Sequence, residues 1–140
     1  MVLPDVNVWL ALAFNAHIHH AAAKTWHGGL ANQRCYFCRL TQQGFLRLAT
    51  NPKALPTQAV SLRQAWQMYD TILADPRFAY ADEPAGLEAS WRGFTQSRQF
   101  SPKVWNDAYL AAFAIAGNLD LVTFDQAMTQ YQGLQCKVLP

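Results

Sequence analysis

The chain has 140 residues, 51% of them hydrophobic and only 14% charged, with a formal net charge of +2. That length encloses one hydrophobic core and predicts a single domain, 1–140, with one active site. No apolar run is long enough to cross a membrane, and the opening MVLPDVNVWLALAF lacks a basic leader region, so the sequence reads as a soluble, cytoplasmic protein. The three cysteines, an odd number, argue against a secreted disulfide framework, and the mild positive charge does not by itself mark nucleic-acid binding.

Along the chain, strand and helix signals alternate. Val2 to Asp5 is a short apolar run that reads as a strand, with Pro4 placed at its exit because proline donates no ladder hydrogen bond. Val8 to Phe14 follows as a helix, and His20 to Trp26 as another that stops at Gly28-Gly29. Tyr36 to Leu40 reads as the second strand, with Thr41 capping a helix that runs to the breaker Asn51-Pro52. Ser61 opens a helix with Leu62, Ala65, Trp66, Tyr69, Ile72 and Leu73 at helical spacing, closed by Asp75-Pro76. Phe78 to Tyr80 is a third strand, Ala85 to Ser97 a helix, and Asn106 to Ala116 the clearest helix, ended by Gly117-Asn118. Leu119 to Thr123 is the fourth strand, Asp125 to Tyr131 a brief helix, and Cys136 to Leu139 a last strand. Strands separated by helices predict an α/β fold in three layers, α/β/α, around a central, mainly parallel sheet of four to five strands.

Three of the nine acidic residues, Asp5, Asp107 and Asp125, fall at a strand end or a helix start. In an open parallel sheet, ligands gather outside the carboxyl ends of the strands, so Asp5 and Asp125 are expected at one crevice, joined by Asp107 from the first turn of its helix. Each aspartate alone is explained by helix capping and by the roughly 0.3–1 kcal/mol that an acid gains from the helix dipole. Their convergence is what points to chemistry. Neighbouring carboxylates repel unless a cation neutralises them, and Mg²⁺, with Mn²⁺ as a substitute, matches a hard oxygen-donor set.

Leu3-Pro4-Asp5-Val6-Asn7-Val8, Asn106-Asp107-Ala108-Tyr109-Leu110 and Val122-Thr123-Phe124-Asp125 resemble, in order and spacing, the motifs of the PIN-domain family, and specifically its VapC-type toxins of prokaryotic toxin–antitoxin pairs. His19-His20-Ala21-Ala22, Gly44-Phe45-Leu46-Arg47 and Asn51-Pro52 are also similar to recurring stretches of that family, so the likeness spans nearly the whole chain. The resemblance implies a PIN-like fold and a Mg²⁺-dependent endoribonuclease leaving a 5′-phosphate and a 3′-hydroxyl. It also implies metal-binding roles for Asp5, Asp107 and Asp125, supporting roles for Asn7 and Thr123, a cognate antitoxin and a homodimer. One position departs: where the family often carries an acid at the start of the helix with Gly44-Phe45-Leu46-Arg47, this chain has Thr41-Gln42-Gln43, and Gln42 brings hydrogen bonds without charge.

An acidic pocket needs cations on its rim to receive phosphates, and Arg47 is the first candidate for substrate binding, ahead of Arg39, Lys103 and Arg98. Trp9 and Trp105 are available for stacking on unpaired bases, although core packing is the preferred account of both. Trp26, Trp66, Tyr69 and Trp91 are read mainly as core, with the apolar excess left to cover a dimer or antitoxin surface. His17, His19 and His20 are read as polar loop residues, not a metal site, and Cys35 and Cys38 as plain buried cysteines on opposite faces of a strand. Among other classes, an aspartyl-nucleophile phosphatase needs an acid where Asn7 stands, and no glycine-rich phosphate loop follows a strand. A catalytically weak RNA- or partner-binding module and a DNA-directed nuclease stay open as alternatives.

Overall fold

The computed structural model describes residues 1–140. Five strands, β1 (Val2–Pro4), β2 (Cys35–Phe37), β3 (Phe78–Tyr80), β4 (Asp120–Thr123) and β5 (Cys136–Val138), form one sheet in the order β3-β2-β1-β4-β5. Every neighbouring pair is parallel, so the sheet is wholly parallel. Six α-helices connect the strands: α1 (Val6–Ala13), α2 (His20–Gly28), α3 (Arg39–Ala49), α4 (Leu62–Ala74), α5 (Leu87–Phe94) and α6 (Val104–Ala116). A 3-10 turn spans Gln126–Gln130.

Alternation along each strand divides the core into two. Val2, Cys35, Phe37 and Val122 pack with residues of α1 to α4 on one face. Leu3, Cys38, Leu121 and Cys136 pack with residues of α5, α6 and the 3-10 turn on the other, which gives the three layers. No helix is long and apolar enough to cross a membrane.

Strand order sets the position of the site. The chain winds from β1 through β2 to β3 on one side, then returns over α5 and α6 to lay β4 on the opposite side of β1. The winding direction reverses between β1 and β4, and the crevice beyond the carboxyl ends of these two strands is where an open α/β sheet takes its ligands. Pro4 is the last residue of β1, as its missing N–H requires in a central strand.

Several boundaries differ from the sequence reading. Strand β2 ends at Phe37, and Cys38, not Thr41, caps α3. The Thr41 hydroxyl reaches back from the third helical position to accept a bond from the Cys38 N–H (3.0 Å). The capping signal was present, and the cap lies three residues earlier because Thr41 supplies the returning half of a capping box. Helix α1 begins at Val6, directly on Asp5, and α5 is shorter than Ala85 to Ser97, entered through Gly86 at φ 84. Cys35 and Cys38 belong to opposite core faces and are free thiols, and burial pushes the Cys35 thiol up to about 12, which leaves it unreactive.

Among the aromatics, Trp9, Trp26 and Tyr69 are core, as expected. Trp105 and Trp66 are not: they stand 56% and 50% exposed. Helical spacing places such residues on a common face but does not say whether another layer covers it.

Helices α1 and α3 approach through Gly44. A Cβ there would stand 2.5 Å from Val6 Cγ2, too close to accept without movement. We expect Gly44→Ala to lower stability, because overpacking of about 1–3 kcal/mol outweighs a helix-propensity gain of about 1 kcal/mol. A thermal melt reads the result, and an unchanged or raised Tm would show that the Val6 side chain yields freely.

Candidate active site

Each element at the switch point delivers one polar group. Asp5 closes β1 and caps α1, with Oδ1 accepting from the Val6 N–H (2.7 Å) and Oδ2 accepting from the Thr123 hydroxyl (2.8 Å). Thr123, the fully buried last residue of β4, thus donates its proton to Asp5. The same hydroxyl oxygen accepts from the Asp125 N–H (3.0 Å) and, at 3.4 Å, from the Asn7 side-chain amide. One donor and two acceptor positions are all that a hydroxyl has, so Thr123 is fully committed to holding the site together. The Asn7 carbonyl oxygen accepts a long bond from the Phe124 N–H (3.4 Å), a second tie between α1 and the loop after β4. Asp125 caps the 3-10 turn, its Oδ1 accepting from the Ala127 N–H (2.9 Å), while its Oδ2 faces Lys103 Nζ at 3.3 Å.

Asp107 enters from the first turn of α6. Burial raises its pKa, Lys103 opposes that rise, and the charges of Asp5 and Asp125 add to it. Burial likewise raises Asp5, against the bonds from Thr123 and Val6 and the charge of Lys103, with Asp125 adding to the rise. Lys103 is held above its ordinary range, first by its bond to Asp125 and then by the charges of Asp125, Asp107 and Asp5. The three aspartates and Lys103 therefore share one electrostatic neighbourhood in which two half-buried carboxylates lack full compensation.

That imbalance and the all-oxygen donor set fit a hard divalent cation. The structure nevertheless draws no group of three His, Cys, Asp or Glu side chains together at metal-holding spacing.

Not every residue singled out in the sequence joins this group. Gln42 is buried in the first turn of α3, and its side-chain oxygen accepts from the Arg39 guanidinium. Arg39 in turn lies 5.0 Å from the Tyr80 ring centroid, so these contacts run toward the β2/β3 side of the sheet. Arg47 is exposed in the last turn of α3, about 13 Å along the helix from its N-terminal cap at 1.5 Å per residue. Lys103, ranked behind Arg47 in the sequence, is the cation bonded to Asp125 and within the field of Asp107 and Asp5. Its signal was spacing, because a residue four before Asp107 shares that face of the helix.

Tyr131 was missed altogether. It is buried, its hydroxyl has no hydrogen-bond partner, and its pKa is raised first by burial and then by the charges of Asp107 and Asp125. The His17 and His19 rings lie 5.8 Å apart, and each histidine has a partner within the chain: His17 Nδ1 accepts from the His19 N–H, His20 Nδ1 meets the Ala11 carbonyl, and His19 stacks on Phe124 at 4.3 Å.

A family model described as the PIN domain matches residues 2–134. Ribonuclease VapC41 of Mycobacterium tuberculosis is 46% identical, over 99% of this chain and 99% of its own. Ribonuclease VapC38 of the same organism is 34% identical, over 89% of this chain and 85% of its own. Among solved structures, VapBC2 from Rickettsia felis, bound to a DNA fragment from its promoter, superposes with a TM-score of 0.72 at 16% identity, covering 100% of both chains. Mycobacterium tuberculosis VapC20, a Sarcin-Ricin loop cleaving toxin, gives 0.69 at 16% identity, again over 100% of both chains. At these identities the structural likeness concerns the fold.

Proposed function

This chain belongs to the PIN-domain family and, within it, to the VapC ribonucleases, and from that membership and the geometry at the β1/β4 crevice we propose that it is a Mg²⁺-dependent endoribonuclease, the toxin of a type II toxin–antitoxin pair. The observation that carries the reading is the hydrogen-bonded set Asp5, Thr123, Asp125 and Asn7, with Asp107 and Lys103 in its electrostatic field.

Asp5 and Asp107 would hold the metal, with Mn²⁺ able to substitute. When bound, it lowers the pKa of a coordinated water and offsets charge on the phosphate during in-line displacement. The Thr123 hydroxyl occupies one lone pair of Asp5 Oδ2, which fixes the direction of the remaining ones. Asn7 holds α1 against the loop after β4, so that Asp5 and Asp125 keep their separation. Asp125, through Oδ2, orients water at the edge of the cluster, and Lys103 supplies the charge that lets a phosphate approach three carboxylates. Water oxygen attacks phosphorus as the P–O3′ bond breaks, the attacking water gives up one proton to solvent by way of Asp125, and the departing 3′-oxygen takes one proton from solvent to become the 3′-hydroxyl. Gln42 acts one step out, steadying Arg39 and the N-terminus of α3. Arg47 would act on substrate only at a distance, contacting RNA that extends along α3.

Thr123→Val keeps the shape of the side chain and removes three hydrogen bonds. We expect RNA cleavage to fall about 10–100-fold, with Thr123→Ser retaining most of it. Equal activity in the valine variant would remove the positioning role.

The antitoxin surface we assign to α4, where Leu62 and Trp66 stand 75% and 50% exposed beside one another on the outer helix. Trp66→Ala is expected to weaken the complex with the adjacent reading frame's product about 10-fold, read by titration calorimetry. Unchanged affinity would move the interface elsewhere. The homodimer is part of the same proposal, and the free cysteines suit action in the reducing cytoplasm.

The reading is tested by Mn²⁺ binding followed by electron paramagnetic resonance. The wild type should bind the ion and Asp5→Ala and Asp107→Ala should not. Equal binding by all three would overturn the metal assignment.

A further inference from the structure

Beside the aspartates lies a cavity of about 450 Å³ that no step above uses. Its walls come from the connection between α5 and α6, from the start of α6 and from the end of the 3-10 turn. Six large hydrophobic side chains are exposed in the whole molecule, and two of them, Phe100 and Trp105, stand on this one cavity, at 104% and 56% exposure. Gln99, Ser101 and Gln130 add amide and hydroxyl groups between the rings. At its base is Tyr131, 6% exposed, with the unpartnered hydroxyl described above.

The cavity is joined to the aspartates through the chain, and the charges of Asp107 and Asp125 reach its lining residue Tyr131. Pro102 and Val104 line it and flank Lys103, whose ammonium is bonded to Asp125, and Asp125 in turn caps the short turn that carries Gln130.

We propose that this cavity is a nucleobase subsite, which receives an unpaired base of the RNA next to the phosphate presented to Asp5, Asp107 and Asp125. The assignment rests on the ribonuclease reading for the identity of the polymer. Aromatic faces bind any base by stacking, and amide and hydroxyl groups at the edge select among bases by hydrogen bonding. The volume falls within the roughly 300–1,000 Å³ of small-ligand pockets, ample for one planar base. Two cations neighbour the lining residues in the chain, Arg98 between Ser97 and Gln99 and Lys103 between Pro102 and Val104, and supply positive charge for the phosphates of the same strand. The Gln130 amide N–H is held by the Ala127 carbonyl (2.9 Å), so the Gln99 amide and the Ser101 hydroxyl are the groups left to meet a base edge.

The test uses fluorescein-labelled single-stranded RNA decamers, intact or with abasic riboses, and fluorescence anisotropy in EDTA, where the metal-dependent step is silent. Phe100 and Trp105 are exposed, so their truncation leaves the fold intact. The Trp91 indole bonds to the Trp105 backbone carbonyl, which survives substitution. The wild type should prefer the intact strand, and Phe100→Ala and Trp105→Ala should each weaken it about 10-fold without changing affinity for the abasic strand. Equal binding of intact and abasic RNA by the wild type, no binding of either, or wild-type affinity in both variants would overturn the subsite. If the wild type also cleaves RNA, the nuclease reading stands without it. If base-dependent binding is lost in the variants but the wild type cleaves no RNA, the subsite stands and the nuclease reading falls. Variants that weaken antitoxin binding while leaving RNA binding intact would assign the cavity to a protein partner.

Discussion

Asp5→Ala and Asp107→Ala are each expected to reduce cleavage of single-stranded RNA by more than about 100-fold, since loss of a residue that merely supports a metal ligand already costs 10–100-fold. The two substitutions should part on stability. Asp5 caps α1 and accepts from Thr123, so alanine there removes a cap of about 0.5–2 kcal/mol and leaves a fully buried hydroxyl without its acceptor. Asp107 is different, because burial and the charges of Asp5 and Asp125 all disfavour its ionised form. Asp107→Asn should therefore raise the Tm of the metal-free protein while removing activity. This is the stability cost that a charged site imposes on its fold, and a lowered Tm would show instead that Lys103 and the helix dipole already over-compensate Asp107.

The largest effect on folding is expected at Trp9. It is 1% exposed, stacked on Phe37 at 3.8 Å between ring centroids and 12° between planes, and meets Phe78 edge-on at 5.5 Å. Trp9 lies on α1, so its contacts anchor the helix that carries Asn7 to the β2/β3 half of the sheet. Trp9→Ala should destabilise the protein by about 3–5 kcal/mol, a large part of the roughly 5–15 kcal/mol that holds a domain folded. The indole N–H has no hydrogen-bond partner, so Trp9→Phe gives up no polar contact and should recover most of the loss. Chemical denaturation reads both. A loss for Trp9→Ala below about 1 kcal/mol would mean that the core closes over the gap at little cost.

The acids at the crevice were legible because each stands at a strand exit or in the first turn of a helix, and the alternating pattern fixes which edge of the sheet those exits share. The reversal between β1 and β4 was not legible, since strand order depends on how α5 and α6 cross the sheet and not on any local run of residues. Lys103 was visible only as one basic residue among several. Its pairing with Asp125 spans 22 positions and depends on the 3-10 turn meeting the start of α6. Tyr131 was hidden by position, as the residue that follows a short turn gives no periodicity from which to infer burial. Trp105 was misjudged for the opposite reason: it stands in the first turn of an apolar helix, where core packing is the natural reading, yet its side of that turn faces the cavity of Phe100 and Tyr131. At position 41 the cap was recognised by residue type and misplaced by three, because a threonine serves equally as the first or the returning half of a capping box.

The aspartate-centred nuclease is tested most directly by incubating end-labelled single-stranded RNA with the wild-type protein in Mg²⁺ and in EDTA, beside folded Asp5→Ala protein in Mg²⁺. Cleavage by the wild type in Mg²⁺ alone, with 5′-phosphate and 3′-hydroxyl ends, is the expected result. Cleavage that persists in EDTA or in the variant, or a wild type inactive on structured and unstructured RNA alike, would contradict it and leave an RNA- or partner-binding module in its place.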